Sequence, residues 1–292
     1  MTAEPPAALA MVRPAPWSPP ATLAMEFVRG PSGRTYLRRQ YAAHPFHVCR
    51  PFYLAGDPAG MATLYLQSCS GGIFQGDRLS ASVVVAEGAR AHVTTQASTI
   101  VHSMEEGEAR CSATLEVRAG ALCEYLPDPL ILFPRSRLST TVRIRAHESA
   151  TVVACESFLL HDPAGRGAAF DHLLSETVAE TLAGDTLALD RFEISGGTAQ
   201  EATPGIMGRY RSLGSLLILH RERPAAVLVE TARRALESVA GIYGGASALP
   251  GGAGAWVRLL AEDGISLRTG LFQAWAALRL ALAGEAPRRR RK

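Results

Sequence analysis

Lysine is nearly absent from this sequence. Of its 30 basic residues only the C-terminal Lys292 is lysine, and the rest are arginine. A nucleotide-binding P-loop sets a lysine against the β- and γ-phosphates, so that chemistry has no residue to carry it inside the fold. Schiff-base enzymes and lysine general bases are excluded by the same absence. Cysteine is sparse: Cys49, Cys69, Cys111, Cys123 and Cys155 are odd in number, widely spaced and free of any C-x-x-C pair. Neither a disulfide scaffold nor a zinc ribbon is built that way, and reduced thiols in the cytoplasm are the expectation. Also missing is a charge-free apolar run of the ~20 residues that a membrane span requires. Prolines at 5, 6, 14, 16, 19 and 20, with Glu4, leave no room for an export signal. The stretch 241–257 carries no charge, but its glycines and Pro250 read as a loop.

What acid–base balance there is sits unevenly. Residues 288–292 read Arg-Arg-Arg-Arg-Lys, and without them the formal charge falls from +3 to −2. The body is therefore slightly acidic, with a basic tail behind Pro287. Such an end can touch RNA, anionic lipid or an acidic partner. The plainer reading is a solvated tail without assigned function. The remaining arginines are scattered and form no ring-rich basic stripe, so no nucleic-acid partner is expected.

Residues 1–22 are rich in proline and alanine and read as a disordered segment. A single β-rich domain is expected over 23–285, followed by the basic tail 286–292. Short β-branched or alternating runs recur at Thr63–Gln67, Ala81–Ala86, Ala91–Thr95, Ala113–Val117, Thr140–Ala146 and Thr151–Ala154. Turn signals stand at Ala55-Gly56-Asp57, Glu87-Gly88, Ala119-Gly120 and Gly196-Gly197. A weak echo joins Val85–Ala89, Val117–Ala121 and Ile144–Glu148, as if a hairpin-like unit were added along an axis roughly every 30 residues. The last third changes period. Pro224–Val239 has apolar residues at helical spacing, and Ser266–Ala283 is a second helix with Ser266 as N-cap and Gly284 beyond its end. Trp256–Leu260 between them reads as a strand. The fold class is mostly β, with stacked or layered sheets and two C-terminal α-helices.

Catalytic motifs are missing. There is no G-x-S-x-G and no H-E-x-x-H, and Gly71-Gly72 after Ser70 makes a turn more simply than an oxyanion hole. His44, His47 and Cys49 are the most metal-like cluster, yet two ligands on one strand face do not make a structural site. His92, His102, His161, His172 and His220 stand alone in the sequence. Three carboxylates remain: Asp77 in Gly-Asp-Arg, Glu156 at the end of an apolar run, and Asp190 within Leu187–Phe192. A charge in an apolar strand is costly unless it is paired or solvated. Pairing with a distant arginine is one reading of each, and a polar passage or transient hard-metal site inside a β body is the other.

The ordered motifs resemble one family. Arg50-Pro51-Phe52-Tyr53, Leu64-Tyr65-Leu66, Gly71-Gly72-Ile73 and Gly76-Asp77-Arg78-Leu79 occur in the order of the urease accessory proteins UreD (UreH). Thr94–Thr99, Glu124–Pro129, Ile131–Phe133, Tyr243–Ser247 and Val257–Leu260 follow in turn. The similarity spans about residues 23–284. It implies no enzyme but a nickel-insertion scaffold that binds the urease apoprotein and, through UreF, the GTPase UreG. No cofactor is held tightly, and nickel is cargo in transit. Asp77, Glu156 and Asp190 match acidic positions associated with the family's metal passage, and Ser98 a small polar position beside it. Arg50, Gly71, Gly72 and Gly76 match structural motif positions. Dispersed carboxylates suit transit of Ni²⁺ better than a His/Cys cage. The chain departs from the pattern at Gln75, where glycine is usual, and at Ile100 and Ser103, where relatives usually carry cations. The rival from another class is a β-fold hydrolase or isomerase using Asp, Glu or His in a cleft.

Overall fold

The computed structural model describes residues 21–288. Of the two terminal segments expected from composition, residues 1–20 and 289–292 lie outside the described part. In chain order the strands are β1 (Leu23–Arg29), β2 (Thr35–Ala42), β3 (Phe46–Val48), β4 (Ala62–Ser68), β5 (Arg78–Val85), β6 (Arg90–Thr95) and β7 (Thr99–Val101). They continue with β8 (Ala109–Val117), β9 (Leu122–Leu126), β10 (Leu130–Leu132), β11 (Arg137–Ala146) and β12 (Thr151–Leu160). After β13 (His172–Thr181) and β14 (Thr186–Ser195) comes the short α1 (Gly196–Gln200), then β15 (Ser212–Leu219), α2 (Ala225–Glu237), β16 (Ile242–Ala248), β17 (Gly254–Ala261) and α3 (Gly264–Ala283).

Two sheets are stacked. One runs β14-β13-β11-β8-β5-β1-β2, and the other β16-β17-β15-β12-β9-β6-β4-β3, with β7 and β10 attached beside β12. The repeated sequence unit is real, but it is not a hairpin. β5, β8 and β11 pair in parallel in the first sheet, while β6, β9 and β12 do so in the second. Each tight turn therefore carries the chain from one sheet to the other, and successive coils stack along an axis. The corners are cross-linked: Gly88 N–H donates to Ala119 O at 2.9 Å, and Gly120 N–H to Ser149 Oγ at 3.0 Å. Gly88 and Gly120 hold φ of +62° and +60°, which a side chain would resist.

Alternation explains the core. Val83, Leu115 and Ile144 on the first sheet face Val93, Cys123 and Val152 on the second, all buried. The outer face of the second sheet is covered by the helices. Leu228, Ala232 and Leu236 of α2 and Leu267, Leu271, Ala274 and Leu278 of α3 pack on Ile218, Val257 and Leu259. The predicted helical stripes hold, except that Val227 points outward at 44% exposure.

Three local expectations are corrected. α3 starts at Gly264, with Asp263 rather than Ser266 as its N-cap; the Asp263 carboxylate accepts from Ile265 N at 2.9 Å and Ser266 N at 2.7 Å. A charged acceptor at a helix N-terminus outcompetes a hydroxyl. Gly196-Gly197 opens α1, and a methyl at Gly196 would collide with Phe170 O. The stretch 241–257 is not one loop: it forms β16 and the start of β17 around a turn at Pro250–Gly252. Gly244 serves packing there, since a Cβ would fall 2.9 Å from Leu259 Cβ. No helix among the described residues is long and apolar enough to cross a membrane.

Candidate functional site

Between the two sheets lies a cavity of about 380 Å³ whose lining draws on Ala81, Ala113 and Val142 from one sheet and Leu66, Tyr125 and Glu156 from the other. Its rim includes the exposed residues Gly71, Gln96, Ala97 and Ser98. Alternation places Glu156 inward. On β12, Val153 and Cys155 pack toward the helices, while Val152, Ala154 and Glu156 face the other sheet.

No cation meets the Glu156 carboxylate among the described residues. It accepts instead from three hydroxyls of the facing sheet: Ser175 Oγ at 3.0 Å, Thr140 Oγ1 at 3.5 Å and Thr177 Oγ1. Burial holds its carboxyl above the ordinary carboxylate range despite these bonds, and the charge of Asp190 adds to the rise. Neutral groups flank it. Burial pushes the Cys111 thiol up to about 12, with Asp77 contributing, and also raises the Tyr125 phenol, with Cys111 and Glu156 contributing.

The expected site residues divide accordingly. Glu156, Ser98, Gly71 and Gly72 line the cavity; Asp77, Asp190, Arg50 and Gly76 do not. Asp77 lies in the turn before β5, where its carboxylate accepts from Phe74 N at 2.8 Å. Asp190 forms an ion pair with Arg258 of β17 that ties the two sheets together. Gly72 is required by close approach, because a Cβ would collide with Ile100 O at a φ of +147°. Gly76 holds a turn at φ +81°, and Arg50 is exposed. Gln75, a departure from the family pattern, accepts from the backbone N–H groups of Glu105 and Glu106 at 2.9 and 3.1 Å.

No three His, Cys, Asp or Glu side chains among the described residues converge as a metal cage. The His44, His47 and Cys49 cluster is therefore not a centre; Cys49 Sγ donates to Gln67 Oε1 at 3.4 Å. All five thiols are free.

Sequence reasoning missed a second buried polar cluster, on the opposite face of the same sheet. Glu124 Oε2 meets His92 Nδ1 at 2.7 Å, and Glu124 Oε1 accepts from Trp275 Nε1 at 3.0 Å. Arg279 Nε stands 3.4 Å from Glu124 Oε1, while its Nη2 donates to Asp57 Oδ1 at 2.9 Å. Thr63 Oγ1 donates to the other Asp57 oxygen at 2.6 Å. Burial works against ionisation of Glu124, yet the His92 hydrogen bond and the Arg279 charge outweigh it and hold the carboxyl below its ordinary range. This cluster clamps α3 to the sheet. A lone arginine in the apolar run Leu278-Arg279-Leu280 was its available signal, and its partner Asp57 lies 222 residues away.

Comparison with known proteins gives a consistent result. A family profile described as UreD urease accessory protein matches residues 20–292. Urease accessory protein UreD 1 of Pseudomonas syringae pv. syringae is 41% identical over 271 residues, covering 93% of this chain and 95% of its own. UreD 1 of Methylorubrum extorquens is 39% identical over 270 residues, covering 92% and 90%. UreD of Natronomonas pharaonis is 35% identical over 259 residues, covering 86% and 83%. These names describe accessory proteins of an enzyme rather than catalysts. Resemblance of motifs, the stacked β architecture and near full-length identity agree, and the chain belongs to the UreD family of urease accessory proteins.

Proposed function

We propose that this chain is a cytoplasmic nickel-insertion scaffold that links the urease apoprotein to UreF and the GTPase UreG and lets Ni²⁺ cross its interior to the urease site. The observation that carries the reading is Glu156: a half-buried carboxyl lining the cavity, ringed by hydroxyls and meeting no counter-cation among the described residues. A carboxylate in that state is poorly stabilised by its own protein and gains from a passing divalent ion. Hydroxyl and carboxyl oxygens suit Ni²⁺ as exchangeable ligands, and the lack of a converging cage among the described residues favours release over storage. We assign Ser98 at the cavity rim, and Asp77 and Asp190 outside its lining, to the acidic route that the motifs suggest.

The rival β-fold hydrolase or isomerase would need a close acid–base pair open to a cleft. His92 and Glu124 are close enough, but both are buried under α3 and neither lines the cavity. Co-expression of urease with and without this chain tests the proposal. Without it, urease should assemble but lack nickel; fully metallated urease would sink the idea. Replacing Asp77, Glu156 and Asp190 together by Ala should give the same nickel-poor urease, and unchanged activation would reject the passage.

A further inference from the structure

Pro287 and Arg288, where the basic end of the chain begins, have a place in the fold. Pro287 is buried, and the Arg288 side chain lies over Gly56, where a methyl group would fall 2.9 Å from its Cγ. The same five-residue loop, Gly56–Gly60, gathers two further arginines. Arg90 Nη1 donates to Ala59 O at 3.4 Å, and a methyl at Gly60 would fall 3.2 Å from Arg34 Cα. Arg29 reaches the neighbouring turns at Gly33 and Gly88. Among the described residues none of these four exposed guanidiniums is paired with a carboxylate. The exposed Glu87 stands at the rim, and the other acid of the loop, Asp57, is buried and held by Arg279.

Aromatic rings lie beside the charges. Arg34 stacks 3.8 Å from the centre of the Tyr53 ring, and Tyr36, Phe52 and Tyr53 are 42–49% exposed. Stacking fixes the guanidinium plane and leaves its N–H edge free for an acceptor, the geometry that recognises carboxylates. Four more basic residues, Arg289–Lys292, follow Arg288 in the sequence. We infer that Arg29, Arg34, Arg90 and Arg288, with the exposed tyrosines, form a docking surface for an acidic protein segment.

Charge complementarity selects the partner's sign, and the tyrosines select its class. The Tyr53 hydroxyl is already committed to Thr35 O at 2.7 Å, and Arg34 covers one face of its ring, a face that a stacked base would need. The surface is separate from the cavity, so it holds or fails independently of the nickel passage.

The test uses the full chain and a fluorescein-labelled poly-glutamate peptide, with poly-glutamine and oligouridylate as comparators. The peptide should bind at low salt and weaken as salt rises. R34E/R90E/R288E should weaken it by at least about tenfold. R166E/R221E/R268E, which makes the same change in net charge at exposed sites elsewhere, should leave binding within about twofold. Circular dichroism checks that both variants are folded. No binding of poly-glutamate, an equal loss in the two triple variants, or tighter binding of oligouridylate would each overturn the inference.

Discussion

Two glutamates sit on neighbouring strands of one sheet, facing opposite ways, Glu124 fully buried and Glu156 half-buried. Glu124 of β9 points under α3 and meets a histidine, an indole N–H and a guanidinium. Glu156 of β12 points into the interior cavity and, among the described residues, meets only hydroxyls. Their electrostatics are opposite: the first carboxyl is held below its ordinary range, the second above it. Burial alone does not say what a charge is for. A buried acid with cations completes a structural clamp, whereas one left without them keeps an unmet demand for positive charge that cargo can satisfy.

The sharpest way to break the contrast is to strip the clamp. Arg279→Met leaves Asp57 and Glu124 buried without their shared cation and should cost about 3–5 kcal/mol of unfolding free energy in denaturant titration. A loss under about 1 kcal/mol would show that the clamp is not structural. Trp275→Phe removes one hydrogen bond to the charged carboxylate while keeping most of the ring volume. It should cost about 1.5–3 kcal/mol.

Removing the charge of Glu156 should act in the other direction. Glu156→Gln keeps the shape and abolishes the poorly solvated ionised form, so the protein should gain on the order of 1 kcal/mol at neutral pH. Thermal melts would then rise by about 2 °C; a fall would mean that the hydroxyl ring stabilises the anion after all. The pH profiles should separate the two residues further. Glu156 keeps its proton to higher pH in the folded chain than in the unfolded one. Wild-type stability therefore falls as pH rises from the ordinary carboxylate range through the raised folded value, and Glu156→Gln flattens that limb. Glu124 stabilises above the unfolded carboxylate value and loses that contribution as pH falls through its lowered folded value. Melts of wild type and Glu124→Gln across the acid range check this sign. The smallest effect belongs to Asp190→Asn. Its ion pair with Arg258 is partly exposed, at 24% and 43% for the two side chains, so its loss should cost under about 1 kcal/mol.

Much of the β body was legible because alternation and β-branching are local. The runs at Thr63–Gln67, Ala91–Thr95 and Thr140–Ala146 all fall inside observed strands. What escaped was non-local. The corner echo was visible, but a hairpin and a sheet-to-sheet corner share the same turn chemistry, and only the pairing partners separate them. The charge-free stretch 241–257 read as a loop because Gly251 and Gly252 do make a turn, at φ of +62° and +69°, while Gly244 in β16 answers instead to packing on Leu236 and Leu259. Glu156 was picked out as a charge ending an apolar run, and it is the one of the three suspected carboxylates that lines the cavity. Glu124 carried the same signal. Its histidine, tryptophan and arginine come from residues 92, 275 and 279, so no window of sequence could show that its charge is answered.

The most direct measurement is the nickel content of urease purified after co-expression with Glu156→Gln. Metal analysis should find assembled urease with markedly less nickel than the wild-type chain delivers, although the variant itself is at least as stable. Urease filled with nickel to the wild-type level would contradict the role assigned to the Glu156 carboxylate.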